Sequence, residues 1–342
     1  MQRRGVTVLL GAVLVALLAW GVSAAPVPYV LLGPGPTVDT LGTADGKDVI
    51  AVSGGRATDS AGQLRLVTVS VRSNNINLLD AVRGWFSGRT AVVPRELVYP
   101  PGRTAEEVDQ ENTKQFEASQ TSAETAALRR LGYPVQVTVT QVAQSSPAQA
   151  ALRVGDVVTS VDGQAVTSGV RLTELIRAKP AGTALSIGYR RGGQAATATV
   201  TTVAGDDGTP RIGIGVEQRQ PHPFQLTIEL DEIGGPSAGL MFALGIVDTL
   251  DPADLTGGRI LAGTGTIDDE GRVGAIGGIP QKLVAAKDAK AVAFLTPADN
   301  CAEAVANAVP GLPLVSVASL DEALAALDAL RAGRQPALCP AG

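Results

Sequence analysis

Hydrophobic and polar positions divide the chain into blocks of different period. Arg3 and Arg4 precede an uncharged run from Gly5 to Ala25 that is long enough to cross a hydrocarbon core as a helix. LRLVTVSVR, from Leu64 to Arg72, alternates with the period of two expected of a half-buried strand. Ile76 to Phe86 (INLLDAVRGWF) follows the 3.6-residue period of a short amphipathic helix, and its Trp85 and Phe86 read as core residues, with contact to a membrane surface or a substrate as the alternative. Prolines 94, 100 and 101 mark a loop before a polar helix that begins near Glu106 and is stopped by Gly132. From Val135 to Val203, short alternating segments are separated by turn signals such as Asp162-Gly163 and Gly192-Gly193, which predicts a β-rich module with one or two short helices. After Ala204 the pattern changes to alternating strands and helices: LTIEL, an apolar helix through Leu240 and Val247, GRILAGTGTI, a helix from Pro280, AVAFLTP, an Ala-rich helix near Cys301, LVSV, and DEALAALDALRAG. That order predicts an α/β domain whose sheet is covered by helices.

The apolar helix is introduced by GGPSAGL, residues 234–240. Pro236 suits a first helical turn, because it lacks the N–H that has no partner there and its φ is already helical. Ser237 is then expected on the opening turn, where free backbone N–H groups and the positive end of the helix dipole favour developing negative charge. Glycines on either side let a substrate backbone approach closely. A nucleophile with an oxyanion hole made by the Ser237 and Ala238 N–H groups can be mounted in this way. An isolated Gly-Pro-Ser is equally an ordinary helix start, so the serine needs a base.

The stretch GRVGAIGGIPQKLVAA, residues 271–286, offers one. Gly277-Gly278 and Pro280 announce another helix start, with Lys282 in its first turn and small apolar residues behind it. The helix dipole and desolvation both disfavour the ammonium there and push its pKa below the usual value of about 10.4. An arginine would stay protonated in the same position. His222, in PHPF, is the rival base, but its flanking prolines read as a linker.

Composition narrows the chemistry. The 342 residues are 45% hydrophobic, which suits two or three globular domains, and the net charge of -5 gives no basic footprint for nucleic acid. One histidine and two cysteines disfavour metal sites built from several such ligands, and neither GxxxxGK[ST] nor a helix-opening GxGxxG is present, so no metal, nucleotide or other cofactor is expected. Everything after the apolar run lies outside the cytoplasm if the run is a retained anchor with its arginines inside. A cleaved signal peptide ending near Ser23, Ala24 and Ala25 is the alternative, although Pro26 and the length of the run favour the anchor. In such a compartment Cys301 and Cys339 could form one disulfide.

GGPSAG followed by GxVxxIGGxxxKxxAA resembles the proteolytic domain of Lon proteases. The resemblance implies a Ser237–Lys282 catalytic dyad, supported by Thr264 in the Gly-Thr-Gly segment. SPAQAALRVGDVVTSVDGQAV, residues 146–166, resembles the centre of a PDZ domain from bacterial envelope proteases. Such domains bind an extended peptide as an added strand, and a bare spacer role is the alternative. The carboxylate-receiving loop of that family is expected at Leu131–Val135, where Pro134 removes a backbone donor and speaks against free C-termini as ligands. Together these features resemble membrane-anchored Lon-like proteases with an inserted PDZ domain, of the α/β (α+β) fold class. The implied division is an anchor at 1–25, the N-terminal part of the protease region at 26–128, a PDZ-like domain at 129–204, the proteolytic domain at 205–335 and a tail at 336–342. The implied activity is an ATP-independent endopeptidase at a bacterial cell membrane, single-pass and catalytically extracytoplasmic, acting on unfolded or flexible protein or peptide substrates, and able to form homo-oligomers. A silent envelope scaffold that binds proteins through the PDZ-like module is the other class of reading. Two departures from the Lon pattern stand out: Gly234 occupies the place of an acidic residue three positions before the serine, with Asp231 and Glu232 nearby, and no ATPase module is present.

Overall fold

The computed structural model describes residues 2–55, 57–58, 60–230 and 233–340. Asp231 and Glu232, the acidic residues flagged near the serine, lie outside the described residues, as do the side chains of Arg3 and Arg4. The chain forms two compact units, one made of residues 1–127 and 226–342 and the other of residues 128–225.

In chain order the first part of the larger unit holds helix α1 (Gln2–Ala24), strands β1 (Tyr29–Asp39) and β2 (Gln63–Arg72), helix α2 (Leu78–Trp85), strand β3 (Ala91–Pro94) and helix α3 (Ala105–Arg130), whose last residues open the smaller unit. α1 contains an 18-residue window, Gly5–Val22, that is long and apolar enough to span a membrane. Asn77 caps α2 in a full capping box: its side chain accepts from the Asp80 N–H, and the Asp80 carboxylate accepts from the Asn77 N–H. Trp85 and Phe86 are not core residues. They are 55% and 88% exposed, because α2 turns only Ala81 and Gly84 inward, where Gly84 packs against Val92 and Leu31.

The smaller unit contains β4 (Gln136–Val142), β5 (Val157–Val161), α4 (Gly169–Arg177), β6 (Ala184–Arg191), β7 (Gln194–Thr201) and β8 (Ile214–Arg219). They form an antiparallel sheet in the order β7-β6-β5-β4-β8. The boundary expected at 204 is therefore too early: β8 returns to pair with β4, Ile214 opposite Val142 and Arg219 opposite Gln136, and the unit runs to residue 225. Its core gathers Val137, Val139, Leu152, Leu172, Leu185 and Ile187. At the core's margin the buried Asp156 carboxylate accepts two hydrogen bonds from Arg191, at 2.7 and 2.8 Å, which hold its pKa below the usual carboxylate range.

The chain then re-enters the larger unit with α5 (Gly239–Leu250), β9 (Ile260–Gly263), α6 (Ile279–Asp288), β10 (Ala293–Pro297), α7 (Cys301–Ala306), β11 (Leu314–Val317) and α8 (Leu320–Arg331). The mixed sheet has the order β11-β10-β9-β2-β1-β3: β2 continues a parallel set formed by β9, β10 and β11, and β1 pairs antiparallel with β2 and β3. Both faces of β2 are covered at its middle, since the successive residues Leu66 and Val67 point oppositely and both are buried, whereas Ser70 to Arg72 are exposed. Every residue of α5 from Gly239 to Asp248 is buried, which explains its unbroken apolar run. A Cβ on Gly263 would stand 2.7 Å from Met241 Sδ, so this close packing of α5 on β9 depends on glycine.

Residues 337–339 are not a loose tail. Ser316 N–H donates to Ala337, Cys339 N–H donates to Leu314, and Cys339 is disulfide-bonded to Cys301. A closed loop of 38 positions limits the unfolded chain by about 4 kcal/mol in the chain-entropy treatment. Reduction of the full chain in detergent is expected to lower its unfolding free energy by about 2–4 kcal/mol, read as a fall in the urea midpoint. An unchanged midpoint would show that the disulfide adds nothing to stability.

Candidate active site

Two helix starts converge on one cleft of about 750 Å³ in the larger unit, and both Ser237 and Lys282 line it. The first start differs from the expected one. Pro236 and Ser237 form the turn ahead of α5 rather than its first turn, with Ala238 as the capping residue. The reason lies in the Ser237 carbonyl, which accepts from Thr264 Oγ1 and from Gly265 N–H, each at 3.0 Å, so that the helical ladder begins one residue later with Phe242 N–H donating to Ala238. The turn is held from its other side by α3: Gly235 N–H donates to the Asn112 carbonyl at 2.9 Å, and Ser119 Oγ donates to the Pro236 carbonyl at 3.0 Å. A Cβ on Gly234 would lie 2.9 Å from Asn112 Cβ, so this position has no room for an acidic side chain without displacing α3. Among the described residues no acceptor is found for the Ser237 and Ala238 N–H groups, which leaves two donors available beside the serine.

The second start is as expected. Gly278 caps α6 with φ +75°, Pro280 sits in the first turn, and Lys282 N–H makes the opening helical bond to Gly278 at 3.1 Å. Gly278 is also pressed against β2, since a Cβ there would meet Val69 Cγ2 at 2.6 Å. This contact fixes the level at which the lysine enters the cleft.

Lys282 is 3% exposed, and burial lowers its pKa from 10.5 to about 8. Its Nζ donates to Thr264 Oγ1 at 3.0 Å, and Thr264 is itself only 1% exposed. Thr264 has one hydroxyl proton, already donated to the Ser237 carbonyl, so it can only accept from Lys282. The lone pair of a neutral amine is then left for another donor. Ser237, Thr264 and Lys282 are thus brought together by hydrogen bonds through the threonine, at one end of a cleft also lined by Leu66, Val67, Thr68, Val69, Ile233 and Ile276.

His222 is absent from that lining. It lies in the smaller unit, with Nδ1 2.8 Å from the Gln220 carbonyl and its ring 4.7 Å from Phe224. Among the described residues no group of three or more His, Cys, Asp or Glu side chains could hold a metal ion.

A second groove, of about 440 Å³, runs through the smaller unit between α4 and β8. Leu172, Thr173 and Ile176 form one wall, and Ile212, Ile214 and Val216 form the other. β8 is the terminal strand of its sheet, so one edge faces away from β4. The turn at Leu131–Val135, expected to receive a carboxylate, does something else. Its strand β4 is paired on both edges, Gly132 at φ +90° ends α3, and the Tyr133 carbonyl accepts from Gln220. Of the two terminal strands, β7 and β8, it is β8 that lines this groove, and Gly213 at φ +79° precedes it.

Comparison with known proteins finds both kinds of domain. Residues 232–327 match the family model of the Lon protease (S16) C-terminal proteolytic domain, and residues 108–202 match that of the PDZ domain. The PDZ domain of the SdrC-like protein from Listeria monocytogenes is similar at 32% identity, over 23% of this chain and 85% of that one, with a TM-score of 0.23. The corresponding domain from Listeria innocua is similar at 32% identity, over 25% and 99%, with a TM-score of 0.24. The chain carries a Lon-type proteolytic domain and a PDZ domain, and this combination supports a serine protease with PDZ.

A lysine whose folded pKa is lowered binds fewer protons than the unfolded chain between about 8 and 10.5, so its contribution makes stability rise with pH across that window. Below the window the buried ammonium costs about 3 kcal/mol. Lys282→Met is expected to raise the urea midpoint at pH 7 and to flatten the rise toward pH 10. A midpoint that falls equally at both pH values would show that the ammonium is not disfavoured in the folded chain.

Proposed function

We propose that this chain, carrying a Lon-type proteolytic domain and a PDZ domain, is a membrane-anchored, ATP-independent serine endopeptidase that cleaves unfolded or flexible proteins outside the cytoplasm. Neutral Lys282 takes the Ser237 hydroxyl proton as Oγ attacks the substrate carbonyl carbon. Ser237 and Ala238 N–H groups receive the oxyanion. The resulting ammonium returns its proton to the leaving amine, and water then hydrolyses the acyl-enzyme with the lysine again acting as base. Thr264 positions the amine. The observation that carries this reading is the buried Lys282 amine bonded to a threonine whose only proton is committed to the Ser237 carbonyl. α1, followed by a disulfide-bonded domain, supports the anchor and its orientation.

The cleft also supports a substrate conformation. β9 pairs with β2 only over Gln63 to Leu66, and beyond that point Val67 to Ser70 line the cleft. A substrate strand lying along these residues gains backbone hydrogen bonds without a sequence requirement, while Leu66, Val69, Ile233 and Ile276 favour apolar side chains. Substrates are gathered by the groove between α4 and β8, as a strand added to the β8 edge.

Full-length protein in detergent is expected to cleave casein without nucleotide. Folded Ser237→Ala and Lys282→Arg variants are expected to lose at least about 10³-fold in kcat/KM, since arginine cannot release its proton. Strict dependence on ATP, or retained activity in either variant, would overturn the mechanism. Below pH 8 the neutral fraction of Lys282 falls about tenfold per pH unit, so kcat/KM should rise with pH to a plateau above about 8. A profile flat from pH 6 to 9 would remove the lysine as base.

Thr173 is exposed on the groove wall. Thr173→Trp, which fills the groove, is expected to raise KM for protein substrates and leave cleavage of short peptides unchanged. Equal effects on both substrates would argue against recruitment by the groove.

A further inference from the structure

Helix α2 keeps an apolar stripe in the open. At 100° per residue Leu79, Val82, Trp85 and Phe86 fall within about 120° of one another, opposite the inward Ala81 and Gly84, and Arg83 flanks the stripe. Leu79 is 43% and Val82 36% exposed, beside the still more exposed aromatic pair. In a protein solved by water alone this is an unprofitable surface.

The connection to α1 identifies what the stripe meets. Pro26, two residues beyond the end of α1, forms an antiparallel bridge with Asn77, the cap of α2, and Val27 N–H donates to the Ile76 carbonyl at 3.1 Å. Bridged backbones stand about 4.5–5.5 Å apart. The 23 residues of α1 extend about 35 Å, against a hydrocarbon core of about 30 Å. Pro26 therefore leaves the bilayer in the headgroup layer, and the bridge holds the start of α2 at the same level. Trp85 also meets Tyr29, the first residue of β1, edge to face at 5.8 Å, which sets two amphipathic rings just past the exit of the chain.

We infer that α2 is an interfacial helix: its stripe of Leu79, Val82, Trp85 and Phe86 enters the headgroup–acyl boundary of the bilayer that α1 spans, with Arg83 among anionic headgroups. The inference rests on the anchored reading of α1. Its effect is to give the protease unit a second attachment beside the anchor, so that the unit is held against the lipid surface instead of swinging on a single tether.

The chain has two tryptophans, Trp20 in α1 and Trp85 in α2, which allows each claim to be read separately. Full-length Trp20→Phe protein, reporting Trp85, and Trp85→Phe protein, reporting Trp20, are reconstituted in phosphatidylcholine–phosphatidylglycerol vesicles containing lipids brominated near the carbonyl or near the chain end. Trp85 is expected to be quenched several-fold more by the shallow than by the deep bromolipid and weakly by aqueous iodide, and Trp20 to be quenched by bromolipid. Trp85 open to iodide and untouched by bromolipid, with Trp20 still quenched, would overturn the interfacial helix and leave the anchor standing. Trp85 shielded from both quenchers would also overturn it, and would assign the stripe to a protein partner. Trp20 untouched by bromolipid would remove the anchor and the inference with it.

Discussion

The chemistry of this fold depends on keeping one amine out of water. Lys282 is attached to the opening turn of α6, and α6 is held in place by Gly278 against Val69 and by the apolar cluster of Ile279, Leu283 and Ala286. Those contacts desolvate the lysine, and desolvation alone accounts for the direction of its pKa shift. The hydrogen bond from Thr264 to the Ser237 carbonyl then ties the position of the serine turn to the position of the amine. Loosening any member of that set would admit water to Lys282 and restore its ordinary basicity, so packing and reactivity cannot be altered separately here.

The same economy appears around the serine. Its turn is clamped between α3 on one side and the Thr264–Gly265 segment on the other, through main-chain groups at Gly235, Pro236 and Ser237. A clamp on the main chain leaves the Ser237 side chain and two neighbouring N–H groups uncommitted among the described residues, as the proposed mechanism requires. Preorganisation of this kind avoids reorganisation when charge develops.

Much of this was legible in the sequence, because it is written in local signals. Gly-Gly and Pro before an apolar run marked both helix starts, and the unbroken run of α5 needed burial on all sides. The features that escaped depend on distant partners. β8 belongs with β4, 72 to 83 positions earlier, and no local period announces such a pairing, so a sequence boundary at 204 leaves this edge strand out of the smaller unit. Likewise Pro236 favours a first helical turn by itself, but the Ser237 carbonyl is claimed by Thr264, 27 positions away. The helix α3 had a readable signal: Asn112, Phe116, Ser119 and Ala123 recur at helical spacing on a polar background, and this is the face that meets the serine turn. Trp85 and Phe86 were misread because aromatic residues on a short helix are usually buried, whereas α2 has only a two-residue inner face.

The order of strands in the larger sheet also governs when the candidate site can assemble. β2 pairs with β9 at Gln63 and Ile260, so its central seam joins segments 197 positions apart, with residues 128–225 inserted between them. Contacts of such sequence separation form late, because the intervening loop must close before they give any return. During synthesis the inserted unit can fold as soon as it emerges, but Ser237, Thr264 and Lys282 have no sheet to rest on until β9 and β10 have followed. The topology thus delays assembly of the candidate site until most of the chain has been made.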